Sequence, residues 1–248
     1  MGLSGHDQPG HKPDAYLEFL RSFIDQGYRF TFFDQLDPDR SNQVLMRHDI
    51  DFSTGAALEM AETEAVMGVR STYFFLLGSR MYNLLDPEEN KHVAAIKAMG
   101  HEISLHFDAA VHPDVEVGLR RELDVFKALF QKDVRLISFH RPNMAWIARH
   151  DREILGIENT YQTKYFRSIK YMSDSTGAWR FGHPCDSEEF KAGKNMQLLI
   201  HPIWWTYTGE DSIVKLDAYF ASQVSDFREE IARNCIPFRE RTKIFKVA

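Results

Sequence analysis

The sequence predicts an α/β protein: one irregular (β/α) barrel of about seven parallel strands spanning residues 13–248, behind a disordered tail at residues 1–12. Three observations predict it. Short apolar runs alternate with longer helix-patterned stretches, as parallel βαβ units require. The runs are apolar on both faces, as strands covered on both sides should be. Most of them end on titratable residues, and in a parallel barrel the strand C-termini share one face, where active sites are built.

The elements follow in order. Tyr16, Phe19, Leu20 and Phe23 keep helical spacing after Pro13, and Gly27 ends that helix. Val44–Ile50 is the first strand and Thr54–Val66 the helix after it. Ser71–Leu77 is the second strand, and Asn90–Met99 a helix that stops at Gly100. Glu102–Phe107 is the third strand. Val115–Phe130 is the third crossover helix, with Leu119, Leu123, Phe126, Leu129 and Phe130 on one face. Val134–His140 is the fourth strand. Asn159–Tyr165 and Lys170–Asp174 supply the fifth and sixth, Met196–His201 a late strand and Ser212–Ala232 a closing helix.

Composition narrows the function classes. A hydrophobic share of 44% supports a sizeable core. The net charge of −6 opposes a nucleic-acid or anionic-membrane partner, since either needs a basic face. Cys185 and Cys235 form neither a CxxC pattern nor a disulfide framework. The polar start has no apolar signal region, and no apolar run is long enough to span a bilayer, so a soluble cytoplasmic protein is expected. No GxGxxG or Walker-type loop follows the first strand, and no GxSxG elbow is present.

The strand ends carry His48, Asp49 and Asp51; His106 and Asp108; His140 and Arg141; Asp174; and His201. Burying so many charges without a purpose would be costly. Carboxylate with imidazole is a normal ligand shell for zinc or a similar divalent ion. A second carboxylate can take a proton from water, and a separate histidine can give one to a leaving group.

Five short motifs in order carry a resemblance. They are Arg47-His48-Asp49-Ile50-Asp51, Gly100-His101-Glu102-Ile103-Ser104-Leu105-His106, Phe139-His140-Arg141-Pro142, the stretch holding Asp174 and Trp179, and Leu198-Leu199-Ile200-His201-Pro202 followed by Trp204 and Trp205. Over roughly residues 40–205 the chain resembles the polysaccharide deacetylases of the NodB-homology, carbohydrate-esterase type, in a divergent branch with RHDxD and HPxWW motifs. The resemblance implies a metal-dependent hydrolase that removes an acetyl group from an N-acetylated sugar or glycan precursor. It implies Asp49 as general base, Asp51 and His106 as metal ligands, His201 as general acid and Arg141 as the holder of the catalytic carboxylate. Asp174 then sits at the catalytic centre, and Trp179, Trp204 and Trp205 face the sugar. The second motif histidine of the family is replaced by Ala110. His140 is the expected substitute ligand, with His112 the looser candidate.

Other readings stand beside these. Asp49 and Asp51 also suit caps of the following helix, near Ser53 and Thr54. His48 reads as a packed neighbour, His101 as a helix-end cap and Asp108 as either a turn cap or a ligand. The alternatives for the whole chain are hydrolysis of a non-sugar linear amide, or an inactive barrel that binds carbohydrate.

Overall fold

The computed structural model describes residues 13–142, 147 and 151–245. The tail expected at residues 1–12 lies outside them. Helix α1, Pro13–Asp25, buries Tyr16, Phe19, Leu20 and Phe23. It ends where Gly27 takes φ +84, a conformation that a Cβ disfavours.

Among the described residues, eight strands form one sheet: β1 Arg29–Phe30, β2 Gln43–Ile50, β3 Thr72–Phe75, β4 Glu102–Phe107, β5 Leu136–Phe139, β6 Glu158–Asn159, β7 Lys170–Ser173 and β8 Met196–Ile200. The main path runs β6-β5-β4-β3-β2-β8-β7, with β1 added beside β2. Every pairing in it is parallel. Helices α2 Thr54–Val66, α3 Pro87–Ala98 and α4 Val115–Phe130 make the crossovers. On α4, Leu119 and Phe126 have no exposed surface. Each such burial contributes about 1.5–3 kcal/mol, which outweighs the modest propensities of a helix interrupted by Gly118.

The two end strands, β6 and β7, share no ladder among the described residues. Side chains close the interior instead. Gln197 on β8 donates through Nε2 to the carbonyls of Thr160 (3.1 Å) and Tyr165 (2.6 Å), beyond β6. The result is a curled half-barrel sealed by polar side chains rather than by backbone.

Two expected elements shift. The third helix begins at Pro87, not Asn90, because Asp86 caps it by accepting from the N–H groups of Glu88 (2.9 Å) and Glu89 (3.3 Å). The fifth strand shrinks to Glu158–Asn159. Asn159 Oδ1 accepts from the Tyr161 N–H at 3.0 Å and turns the chain, and Thr163–Phe166 becomes one helical turn.

Candidate active site

Strand alternation builds the first part of the site. Leu45 packs with Phe33, Phe74 and Tyr165 inside the half-barrel, and Arg47 and Asp49 follow on the same face. Arg47 is fully buried. Its Nη2 donates to Asp49 Oδ2 (3.2 Å) and to Tyr161 Oη (2.8 Å), and its Nη1 to Gln197 Oε1 (3.2 Å) and to Thr160 Oγ1. The Tyr161 ring lies 4.7 Å from the guanidinium carbon. Burial alone would lower the pKa of Arg47, but the Asp49 charge more than reverses that and raises it. Ser138 on β5 donates a further bond to Asp49 Oδ2 at 3.0 Å. All of Asp49's hydrogen bonds thus fall on Oδ2, and Oδ1 is buried with no partner among the described residues.

Asp51, just past the end of β2, meets two imidazoles. His106 Nε2 lies 3.3 Å and His140 Nε2 3.8 Å from its Oδ1. These three ligand atoms lie within 4.8 Å of one another. The other nitrogen of each ring fixes its tautomer. His106 Nδ1 is 3.2 Å from the Ser138 carbonyl, which can only accept, so Nδ1 carries the proton. His140 Nδ1 donates to Asp108 Oδ2 at 3.1 Å. Both Nε2 lone pairs therefore face a carboxylate, a repulsive arrangement unless a cation or proton intervenes. A histidine held through its far nitrogen is the usual support of a metal ligand. Asp51 Oδ1 also lacks a hydrogen bond of good geometry. Burial pushes the Asp51 carboxyl up, but His106, His201 and His140 outweigh it and bring it to about 2. This donor set fits a divalent cation.

The third part faces Asp51 from β8. His201 Nε2 is 3.8 Å from Asp51 Oδ2. Its Nδ1 is 2.7 Å from Asp174 Oδ1, and Asp174 also accepts from the His201 backbone N–H (3.0 Å) and from Trp205 Nε1 (2.9 Å). Burial lowers the His201 pKa, but the Asp174 hydrogen bond and charge overcome this and lift it to about 9.

Several sequence expectations are corrected by these positions. Arg141 does not touch Asp49. It bonds to Asp108 Oδ2 at 2.6 Å, with 69% of its side chain exposed. The guanidinium on Asp49 belongs to Arg47, which two positions back on the same strand shares its interior face. Arg141 holds the acid that orients His140, from a left-handed backbone (φ +48). Such a conformation in a non-glycine costs on the order of 1–3 kcal/mol and clusters at functional sites. Arg141→Ala is expected to weaken zinc affinity about 10–100-fold, read by competition with a chromophoric chelator, if His140 is a ligand.

Asp174 is fully buried behind His201 and reaches no substrate. Trp204 and Trp205 are buried in the aromatic cluster under α1, with Trp205 against Tyr16 (5.1 Å between centroids) and Phe19 (5.5 Å). Trp179 is half-buried and stacks on Phe19 at 5.8 Å. Anchoring α1 takes up the rings of Trp179 and Trp205, and Trp204 is buried against Phe52, so these rings serve the core. His112 pairs with Glu122 at 2.7 Å and stacks on Phe107, away from Asp51.

His48 points outward, as alternation requires, and bonds to Glu64 of α2 at 2.7 Å. His101 is no helix-end cation. Its Nε2 donates to Ala61 O and its Nδ1 accepts from the Ser71 N–H, with burial lowering its pKa. Sequence reasoning missed Arg47, Ser138 and Tyr161. For Arg47 the signal was present, since positions 47, 49 and 51 share one face of β2. For the other two it was absent, because they reach Asp49 and Arg47 only through the curl of the sheet.

A cavity of about 1210 Å³ opens at the opposite end of the sheet and is lined by Phe33, Arg40, Arg135, Tyr165 and Lys170 among others. It lacks the convergence of carboxylates and imidazoles. The carboxylate end instead has a crevice of about 10 Å³ between Asp49, Asp51, Phe52 and His201, the scale of one water molecule.

Fold and site together define a parallel (β/α) half-barrel with a carboxylate–imidazole centre at its strand C-termini. Compared by sequence, the chain matches no protein-family model and no curated protein. Compared by structure, it is similar to a chitin deacetylase from the fungal pathogen Colletotrichum lindemuthianum (13% identity, covering 74% of this chain and 83% of that one, TM-score 0.47). It is also similar to the Streptococcus pyogenes deacetylase PplD in complex with acetate (12% identity, 88% and 93% covered, TM-score 0.45). A third similar structure is a family 4 carbohydrate esterase from Bacillus anthracis (14% identity, 93% and 89% covered, TM-score 0.42). Among the described residues, no helix is long and apolar enough to cross a membrane.

Proposed function

We propose that this chain is a metal-dependent hydrolase that removes an acyl group, acetyl in the leading reading, from the nitrogen of a sugar or glycan precursor. One observation carries the reading. The Nε2 lone pairs of His106 and His140 converge on Asp51, beside the unpartnered Oδ1 of Asp49 and opposite His201.

Asp51, His106 and His140 would hold a divalent ion such as zinc. When bound, that ion supplies a Lewis acid that polarises the acyl carbonyl and lowers the pKa of water. Asp49 accepts the proton of the attacking water on Oδ1, while Arg47 and Ser138 keep Oδ2 occupied and the carboxylate oriented. His201 donates from Nε2 to the leaving nitrogen, because Asp174 engages Nδ1 and stabilises the imidazolium.

The test is chelation. Dialysis against a strong chelator should abolish deacetylation of nucleotide-linked N-acetyl sugars or chitooligosaccharides, and zinc should restore it. His106→Ala should lose the metal. Full activity in metal-free protein would refute the reading. Screening simple amides beside the sugars decides between the sugar and linear-amide classes.

The general acid also predicts a pH limb. A raised pKa keeps His201 protonated below that value and releases the proton above it. The turnover number should therefore fall as pH rises through about 9. His201→Gln should be slow at every pH and lack this limb.

A further inference from the structure

The long helix that closes the half-barrel, α5 (Ser212–Asn234), is fastened to it through its first half, as far as Ser222, which meets Tyr207 Oη at 3.4 Å. Lys215 Nζ donates to the Trp204 carbonyl at 2.6 Å, and Tyr219 Oη to the Phe52 carbonyl at 3.1 Å. These are its only two buried residues. Along its length it presents an apolar stripe: Ile213 (65% exposed) near the start and, beyond Tyr219, Phe220 (67%), the half-buried Val224, Phe227 (64%) and Ile231 (48%). The steps between Phe220, Val224, Phe227 and Ile231 alternate four and three residues, the spacing of a coiled-coil seam. Two phenylalanines and two isoleucines at these exposures offer on the order of 500 Å² of apolar surface, at the upper end of the largest patch on an ordinary monomer.

We propose that this stripe pairs antiparallel with the same helix of a second copy of the chain. The seam residues decide the orientation. A parallel pair would set Asp217, also on the seam, against the second copy's Asp217, and like charges at a seam are destabilising. An antiparallel pair sets Phe220 against the second copy's Ile231, Val224 against its Phe227, and Asp217 against its Asn234. From Phe220 to Ile231 every apolar residue then meets an apolar residue, and the one polar layer joins a carboxylate to an amide that can donate to it. A single polar layer of this kind also fixes register. On the flanks, Glu230 faces the second copy's Gln223 and Arg228 its Ala221, so no like charges meet. The pairing is isologous and closes as a dimer.

Sedimentation equilibrium of the full chain at micromolar concentration tests this. The wild type should run at twice the monomer mass, and Phe220→Asp with Phe227→Asp should run as a monomer with an unchanged far-ultraviolet circular dichroism spectrum. In a Cys235→Ser background, a chain carrying both Asp217→Cys and Asn234→Cys should form disulfide-linked dimers on mild oxidation, and Asp217→Cys alone should not. A monomeric wild type overturns the proposal. So does efficient cross-linking of Asp217→Cys alone, which would mean a parallel pair. A monomeric wild type that floats with phosphatidylglycerol vesicles would assign the stripe to a lipid surface and equally overturn it.

Discussion

Asp49→Asn is expected to cut turnover by about 10²–10⁴-fold, the range for loss of a general base, while zinc still binds at its wild-type level. The two halves of this expectation come from the two oxygens of one carboxylate. Oδ2 is occupied by Arg47 and Ser138, and Oδ1 is buried and bare. An amide whose oxygen takes the Oδ2 position keeps the first pair of bonds but puts an NH₂ where the proton should go. Asp51, His106 and His140 all remain, and the Asp49 side chain stands 3.9 Å back from His106 Nε2, so metal binding should hold. The substitution also removes the carboxylate that neutralises the buried Arg47, so a thermal melt must accompany the kinetics. If turnover falls by less than about tenfold in a folded, zinc-loaded variant, Asp49 is not the base.

Arg47→Met is the second large effect, and it falls on stability. The side chain is buried and its donors serve four different groups: Asp49, Tyr161, Thr160 and Gln197. Removing one partner of a buried ion pair costs about 3–5 kcal/mol, because the other charge is left desolvated. Gln197 compounds the loss, since it also bonds the backbone of Thr160 and Tyr165 and so helps close the half-barrel. Urea denaturation reads the change through its midpoint. Because the two sites are coupled, Arg47→Met made on top of Asp49→Asn should cost less than it does alone. A loss below about 1 kcal/mol for the single variant would mean that the pair is not a strong one.

The pairing of Arg47 with Asp49 also shows where reading one strand at a time stops. The Arg47–Asp51 stretch lies within one strand and its exit, and period-two alternation assigns His48 outward and Asp49 inward without further information. The structure places both side chains so. The crossover helices α2 and α4 were legible to the residue because Ser53 and Asp114 cap them and their apolar faces are regular. Strand β6 was not, because Asn159 ends it through a side-chain bond that leaves no periodic trace.

By itself, then, the sequence determined the parallel βαβ order and the strand ends that carry acids and imidazoles. Both are written in spacing along single elements. Only the tertiary structure decided which arginine meets which acid, that Asp108 steadies His140, that Asp174 stands behind His201, and that the tryptophans are core rather than cleft. Apart from the Arg47–Asp49 pair, which sits two residues apart on β2, each of those contacts joins residues distant in the chain. They are brought within 3.2 Å by the curl of the sheet, or into one aromatic cluster by the docking of α1. The curvature of a sheet depends on how all its strands pack together, and no local pattern encodes it.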